Sequence, residues 1–129
     1  MADKKVLIAD DEIHIIHVVS IKLRNNGYEV ISAENGADAF ALACEENPDI
    51  IVTDYQMPGM TGLELVRQLR QNEATKDTPV IMLTARDFAV EEGEKEQLQI
   101  SELLSKPFSP KELLRSVSDI LYQKAAMGE

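Results

Sequence analysis

The sequence predicts an α/β domain with a five-stranded parallel sheet and helices on both faces. Three observations lead there. Short apolar runs alternate with longer segments of helical period, five times over. Such alternation implies βαβ units with right-handed crossovers. The runs are nearly continuous in apolar residues, as in strands covered on both faces. Three of them also lead into charge: Val6-Leu7-Ile8-Ala9 into Asp10-Asp11, Ile50-Ile51-Val52-Thr53 into Asp54, and Leu103-Leu104-Ser105 into Lys106.

Taken in order, the strands are expected near Val6–Ala9, Glu29–Ala33, Ile50–Thr53, Val80–Leu83 and Leu103–Ser105. The helices are expected near Ile13–Asn26, Gly36–Glu46, Gly62–Asn72, Phe88–Leu98 and Pro110–Lys124. Asn25-Asn26-Gly27 stops the first helix, with Gly27 suited to a left-handed cap. Asn47-Pro48 ends the second and leads into the third strand. Pro58-Gly59 and Gly62 tighten the loop after Asp54. Ser109-Pro110 supplies an N-cap and a first-turn proline for the last helix. The fourth helix is the weakest, because Val90 to Glu96 is poor in apolar residues and has Gly93 near its centre, which costs about 1 kcal/mol relative to Ala. Residues 1–124 form one domain, and Ala125 to Glu129 read as a frayed tail.

A chain of 129 residues with 44% hydrophobic and 28% charged residues fits a single globular domain. No apolar run approaches the roughly 20 residues needed to span a bilayer. The N-terminus lacks the apolar segment of a secretory signal, so a cytoplasmic location without membrane insertion is the expectation. The one cysteine, Cys44, rules out an internal disulfide and reads as a buried structural thiol. A net charge of −10 disfavours direct binding to nucleic acid and suits protein partners.

The strand ends carry the chemistry. In open parallel sheets the rim at the carboxyl ends of the strands is where ligands bind. Asp10, Asp11 and Asp54 offer hard oxygen donors for Mg²⁺, a cation that takes one or two carboxylates and keeps waters and phosphate oxygens. Three carboxylates together repel unless a cation joins them. A carboxylate there can attack phosphorus to give an acyl phosphate, while Lys106 and the Thr84 hydroxyl pair with phosphoryl charge. Each feature alone has a plainer explanation: helix cap, solvated lysine, turn threonine. Four strand ends at once do not.

Val6-Leu7-Ile8-Ala9-Asp10-Asp11-Glu12, Asp54 through Gly62 (Asp-Tyr-Gln-Met-Pro-Gly-Met-Thr-Gly), Val80-Ile81-Met82-Leu83-Thr84-Ala85 and Ser105-Lys106-Pro107-Phe108 resemble the receiver domain of bacterial two-component response regulators. The resemblance runs from about Lys5 to Gln123. It implies a flavodoxin-like (βα)5 fold with strand order 2-1-3-4-5. It implies that Asp54 accepts phosphate from a sensor histidine kinase or histidine phosphotransfer protein, and that a downstream protein target reads the change. By the same resemblance Asp11 and Asp54 ligate Mg²⁺ directly, Asp10 acts largely through water, and the backbone carbonyl of Gln56 is the third protein ligand. Thr84 is the hydroxyl that moves to the phosphoryl group, Lys106 is its ion-pair partner, and Lys106-Pro107 is cis.

Two positions depart from the family. Leu103 stands where an aromatic residue usually toggles, so the expected readout is a reshaping of Thr84 to Gly93 without a ring movement. Gln99-Ile100 replaces a usual Gly-Ala pair before the fifth strand. The first helix is apolar around more than one stripe, and Ile13, Ile16 and Ile21 are candidates for docking a kinase helix beside Asp54. His14 and His17 share a helix without a third metal ligand and read as surface residues. Phe40, Tyr28 and Tyr122 read as packing residues, and Arg86 as a solvated side chain within reach of the pocket mouth.

Three rivals remain. An aspartyl-nucleophile phosphatase would want a second Asp two residues past the nucleophile, where this chain has Gln56. A flavodoxin would place a phosphate-cradling loop where Asp10-Asp11 repels phosphate. A degenerate receiver used as a scaffold would not need Asp54, Thr84 and Lys106 together. A stand-alone receiver and a piece of a larger regulator or hybrid kinase both fit the length.

Overall fold

The computed structural model describes residues 4–85 and 92–127, except the side chains of Glu92 and of residues 123–127. The elements are β1 (Lys5–Ala9), α1 (Ile13–Arg24), β2 (Glu29–Ala33), α2 (Gly36–Glu46), β3 (Ile50–Asp54), α3 (Gly62–Arg70), β4 (Val80–Thr84), α4 (Glu92–Gln97), β5 (Ile100–Ser105) and α5 (Pro110–Met127). The five strands form one parallel sheet in the order β2-β1-β3-β4-β5. That is the expected α/β, flavodoxin-like arrangement.

The continuous apolar strands follow from the two-residue period of a strand. Val6 and Ile8 of β1, Ile50 and Val52 of β3, and Ile81 and Leu83 of β4 pack in one cluster with Val19, Leu23, Leu113 and Val117 of α1 and α5. Leu7, Ala9, Ile51, Val80 and Met82 point the other way, joining Ala39, Ala43, Leu65, Val66 and Leu69 of α2 and α3. β1, β3 and β4 therefore bury both faces and have no place for polar alternation, while the edge strands β2 and β5 keep exposed positions.

The punctuation works as the residues suggest. After α1 the Tyr28 amide donates to the Leu23 carbonyl at 3.1 Å and the Gly27 amide to Arg24 at 3.1 Å, with Gly27 at φ 92°. These are the paired bonds of a Schellman stop. Asn47 caps α2 in the left-handed region at φ 49°. Ser109 and Glu112 exchange bonds of 3.1 and 3.2 Å at the start of α5, a reciprocal capping box.

Several expectations need correction. β3 and β4 each run one residue further, so Asp54 and Thr84 are the last residues of their strands. β5 starts at Ile100, not Leu103, with an irregular register opposite Val80 and Ile81. The polar pair Ser101-Glu102 hides its first half in the sequence. α1 and α3 end two residues earlier, at Arg24 and Arg70, and α5 continues to Met127, past the expected end at Lys124. Lys124-Ala125-Ala126-Met127 are all strong helix formers, which accounts for the extension. Of the helix expected over Phe88–Leu98, only Glu92–Gln97 falls in described α4, and Phe88 to Glu91 lie outside the described residues. Tyr122 is 68% exposed, not packed. Cys44 is only half-buried. Tyr28 is buried as expected, and its hydroxyl bonds Ser118 Oγ at 2.7 Å.

The turn into β5 is held from outside. Gln99 occupies the left-handed region at φ 56°, which costs a non-glycine residue about 1 kcal/mol or more. Arg70 of α3 fastens this turn, donating from Nε to the Leu98 carbonyl at 2.8 Å and from Nη2 to the Gln99 carbonyl at 3.2 Å. Replacing Gln99 by Gly is expected to raise the unfolding free energy by about 0.5–1 kcal/mol in urea denaturation, and replacing it by Val to lower it by at least as much.

Candidate functional site

The order β2-β1-β3-β4-β5 makes β1 and β3 neighbours whose following connections leave in opposite directions, which opens a crevice at their carboxyl ends. Ala9 lies opposite Thr53, and Asp54 opposite Leu83. Asp10, one residue past β1, therefore stands beside Asp54 at the end of β3. Thr84 ends β4 opposite Ser105, and the Lys106 amide donates to the Thr84 carbonyl at 2.7 Å. That bond carries Lys106 onto the same rim.

Asp10 is fully buried, Asp54 is 7% exposed and Thr84 5%. Asp11, Glu12 and Gln56 are exposed. Lys106 Nζ lies 3.2 Å from Asp10 Oδ2, 3.1 Å from Glu12 Oε1 and 3.4 Å from Asp54 Oδ2. Among the described residues it is the one cation paired with Asp10 and Asp54. The structure thus brings together Asp10, Asp54, Thr84 and Lys106, with Asp11 at the mouth.

Glu12 belongs to this group, although its sequence position suggested only a neighbour of the acidic pair. Its contact with Lys106 spans 94 residues, a separation at which sequence pattern carries no signal. The one hint was the unbroken run Asp10-Asp11-Glu12.

The electrostatics follow from burial. Burial pushes the Asp54 carboxyl from its ordinary 3.8 up to about 6; the Asp10 charge adds to the rise and Lys106 opposes it. Burial also raises Asp10, against the lowering effect of the Glu12 amide and of Lys106. Burial pulls the Lys106 ammonium down, but its bonds to Glu12 and the charges of Asp10 and Asp54 outweigh this and leave it above 10.5. The site is an ammonium held by excess negative charge.

That excess suits a hard cation. One carboxylate oxygen from each of Asp10, Asp11, Glu12 and Asp54 lies within 4.8 Å of the others. An all-oxygen set that tolerates retained waters fits Mg²⁺ better than softer ions.

The loop after Asp54 is built without slack. The Gly62 amide donates to the Tyr55 carbonyl at 2.7 Å, and a Cβ on Gly62 would collide with the Asp54 carbonyl oxygen. Thr61 and Glu64 form a capping box of 3.1 and 3.0 Å at the start of α3. Lys106-Pro107 is cis.

Leu103 is half-buried and packs against the α2–α3 side of the core. Ile13 is 60% exposed and Ile21 46% exposed, but Ile16 packs against the α1–α5 side. Val18, 48% exposed, takes its place on the open surface. His14 is exposed, with its Nε2 3.6 Å from Glu12 Oε2, and His17 is exposed too. Arg86 lies outside the described residues.

Comparison with known proteins gives one consistent answer. Residues 6–118 match the family model of the response regulator receiver domain. The phosphate regulon transcriptional regulatory protein PhoB of Pseudomonas aeruginosa is 38% identical over 121 residues, covering 94% of this chain and 53% of that protein. The alkaline phosphatase synthesis transcriptional regulatory protein PhoP of Bacillus subtilis is 38% identical over 119 residues, covering 92% and 49%. The chain thus spans about half the length of these curated relatives. Among solved structures, the chemotaxis response regulator CheY4 of Vibrio cholerae superposes with a TM-score of 0.85 at 38% identity, covering 93% of this chain and all of that one.

A carboxyl whose pKa is higher folded than unfolded binds extra protons in the folded state between the two values. Stability therefore falls as pH rises from about 4 to about 6. Replacing Asp54 by Asn removes that loss. In metal-free buffer at pH 7.5 the variant is expected to be more stable than the parent by about 1–3 kcal/mol, with the gain fading by pH 4. Thermal unfolding across this range checks it.

Proposed function

This chain belongs to the response regulator receiver domain family, and we propose that Asp54 is its phosphoacceptor. The donor in this reading is a phosphohistidine on a sensor histidine kinase or histidine phosphotransfer protein, and a downstream protein target reads the result. One observation carries the reading. A nearly buried carboxylate ends the third strand 3.4 Å from a lysine ammonium, beside a second buried carboxylate, at the crevice of the sheet.

Asp54 is mostly ionised at neutral pH, so one of its oxygens can attack phosphorus. The new O–P bond forms as the P–N bond of the phosphohistidine breaks, and the imidazole nitrogen keeps the electron pair and takes a proton from solvent. Little covalent chemistry is asked of the protein beyond positioning and charge. Lys106 pairs with the phosphoryl oxygens, and the Thr84 hydroxyl donates to them from the adjacent strand end. Asp10, Asp11, Asp54 and the Gln56 backbone carbonyl would hold Mg²⁺, which when bound neutralises phosphoryl charge.

The reading makes the chain a signalling module that catalyses only its own phosphorylation and dephosphorylation. Gln56 stands where a metabolite phosphatase of this type would have its acid/base aspartate. The joint presence of Asp54, Thr84 and Lys106 argues against an unphosphorylated scaffold. A cytoplasmic location goes with the proposal; no helix among the described residues is long and apolar enough to cross a membrane. Direct contact with nucleic acid is not part of it, given the charge of −10. With Leu103 in place of an aromatic, the readout proposed is movement of the segment from Thr84 to Gly93, of which residues 86–91 lie outside the described residues.

The kinase-facing surface proposed is the open side of α1. Ile13, Val18 and Ile21 are exposed there, and Val18 also lines an apolar groove with Ile15, Pro107 and Phe108 that reaches Lys106.

Incubation with Mg²⁺ and acetyl phosphate is expected to add one phosphate by intact mass. EDTA or Asp54→Ala should abolish the gain; no gain in the parent chain would favour the scaffold reading. The double variant Ile13→Ser, Val18→Ser is expected to keep that labelling while slowing transfer from the cognate kinase roughly tenfold. Unchanged transfer would remove this surface from the account.

A further inference from the structure

We infer that Glu12 is a positioning residue that holds Lys106 while Asp54 is unmodified, and that phosphorylation must release this hold. The inference rests on Asp54 being the phosphoacceptor. Glu12 occupies the N-cap of α1 with an extended backbone, φ −94° and ψ 101°, yet its side chain makes no bond to the helix amides. The first turn of α1 has no acidic residue either. A carboxylate near those amides would normally be favourable. Here it turns toward the strand rim instead.

There Glu12 Oε1 accepts from Lys106 Nζ at 3.1 Å, the shortest of the three carboxylate contacts of that ammonium. The backbone from which it reaches is itself held, because the Glu12 amide donates to Asp10 Oδ1 at 2.9 Å. Its other oxygen, Oε2, lies 3.6 Å from His14 Nε2. A helix cap is left unused and a lysine bond is made in its stead.

The three partners of Lys106 differ in what their loss would cost. The Asp10 side chain is 0% exposed and that of Asp54 10%, while that of Glu12 is 45% exposed. Only Glu12 regains full hydration when the ammonium leaves. A phosphoryl group on Asp54 presents new anionic oxygens, and Lys106 turns to them by giving up the partner that water can replace. The Lys106–Glu12 bond stabilises the unmodified state alone, and so opposes phosphorylation by its own strength.

The test is an NMR titration with beryllofluoride, a phosphoryl mimic, at saturating Mg²⁺, on the full chain and on Glu12→Gln and Glu12→Asp. Both variants are expected to bind the mimic about two- to fivefold more tightly, the worth of a partly exposed ion pair. Aspartate keeps the charge but is one methylene too short to reach Lys106. Tightening in Glu12→Gln alone would mean that only like-charge repulsion acts, and would overturn the inference. No change in either variant would overturn it as well. If the parent chain does not bind the mimic at all, the phosphoacceptor reading falls and takes this one with it.

Discussion

A single ammonium among three carboxylates is the interaction on which this structure turns. Asp10 and Asp54 are both inside the protein; burial raises the cost of ionising each, and the Asp10 charge raises it further for Asp54. Lys106, reaching over from the end of β5, makes that pair tolerable. Two buried carboxylates left without it would be strongly destabilising, because a buried charge that loses its partner cannot be rehydrated. The negative charge that Lys106 leaves uncompensated suits a hard cation.

The sheet exists to hold that imbalance still. Strand faces packed solidly with Leu, Ile and Val from both sides leave the strand ends little freedom. The loop after Asp54 has no room for a side chain at Gly62, and the Lys106 backbone is tied to Thr84. On the far side of the sheet, α3 holds the α4–β5 turn through Arg70, and Arg67 pairs with Glu94 at 3.0 Å. The strand ends are thus rigidly mounted, while α4 is joined to the body through buried Leu98 and Ile100 at its end and the polar contacts of Arg67 and Arg70. Local opening favours regions with few buried apolar contacts.

Much of this was legible in the sequence because burial writes directly into composition. A strand covered on both faces must be apolar throughout, so β1, β3 and β4 stood out, and so did the charged or hydroxyl residue ending each. Caps and stops were legible because Asn47, Gly27 and Ser109 act locally. The start of β5 was hidden by Ser101-Glu102; Glu102 is tolerated at this sheet edge because Ser116 Oγ of α5, the next element, donates to it at 2.7 Å. Helix α1 was ambiguous in phase because it is apolar on every side. The structure buries Val19, Ser20 and Leu23 and leaves Val18 open, and no periodicity separates Val18 from Ile16. Glu12 was missed because its partner is remote in sequence and its own residue type is common at helix starts.

Burial and a neighbouring carboxylate, set against one lysine, hold Asp54 at the margin of ionisation. Carboxyl ¹³C chemical shifts of Asp54, followed by NMR against pH in metal-free protein, measure this directly. A midpoint near 6 that moves down when Mg²⁺ is added is expected. A midpoint near the ordinary 3.8, unmoved by Mg²⁺, would contradict it.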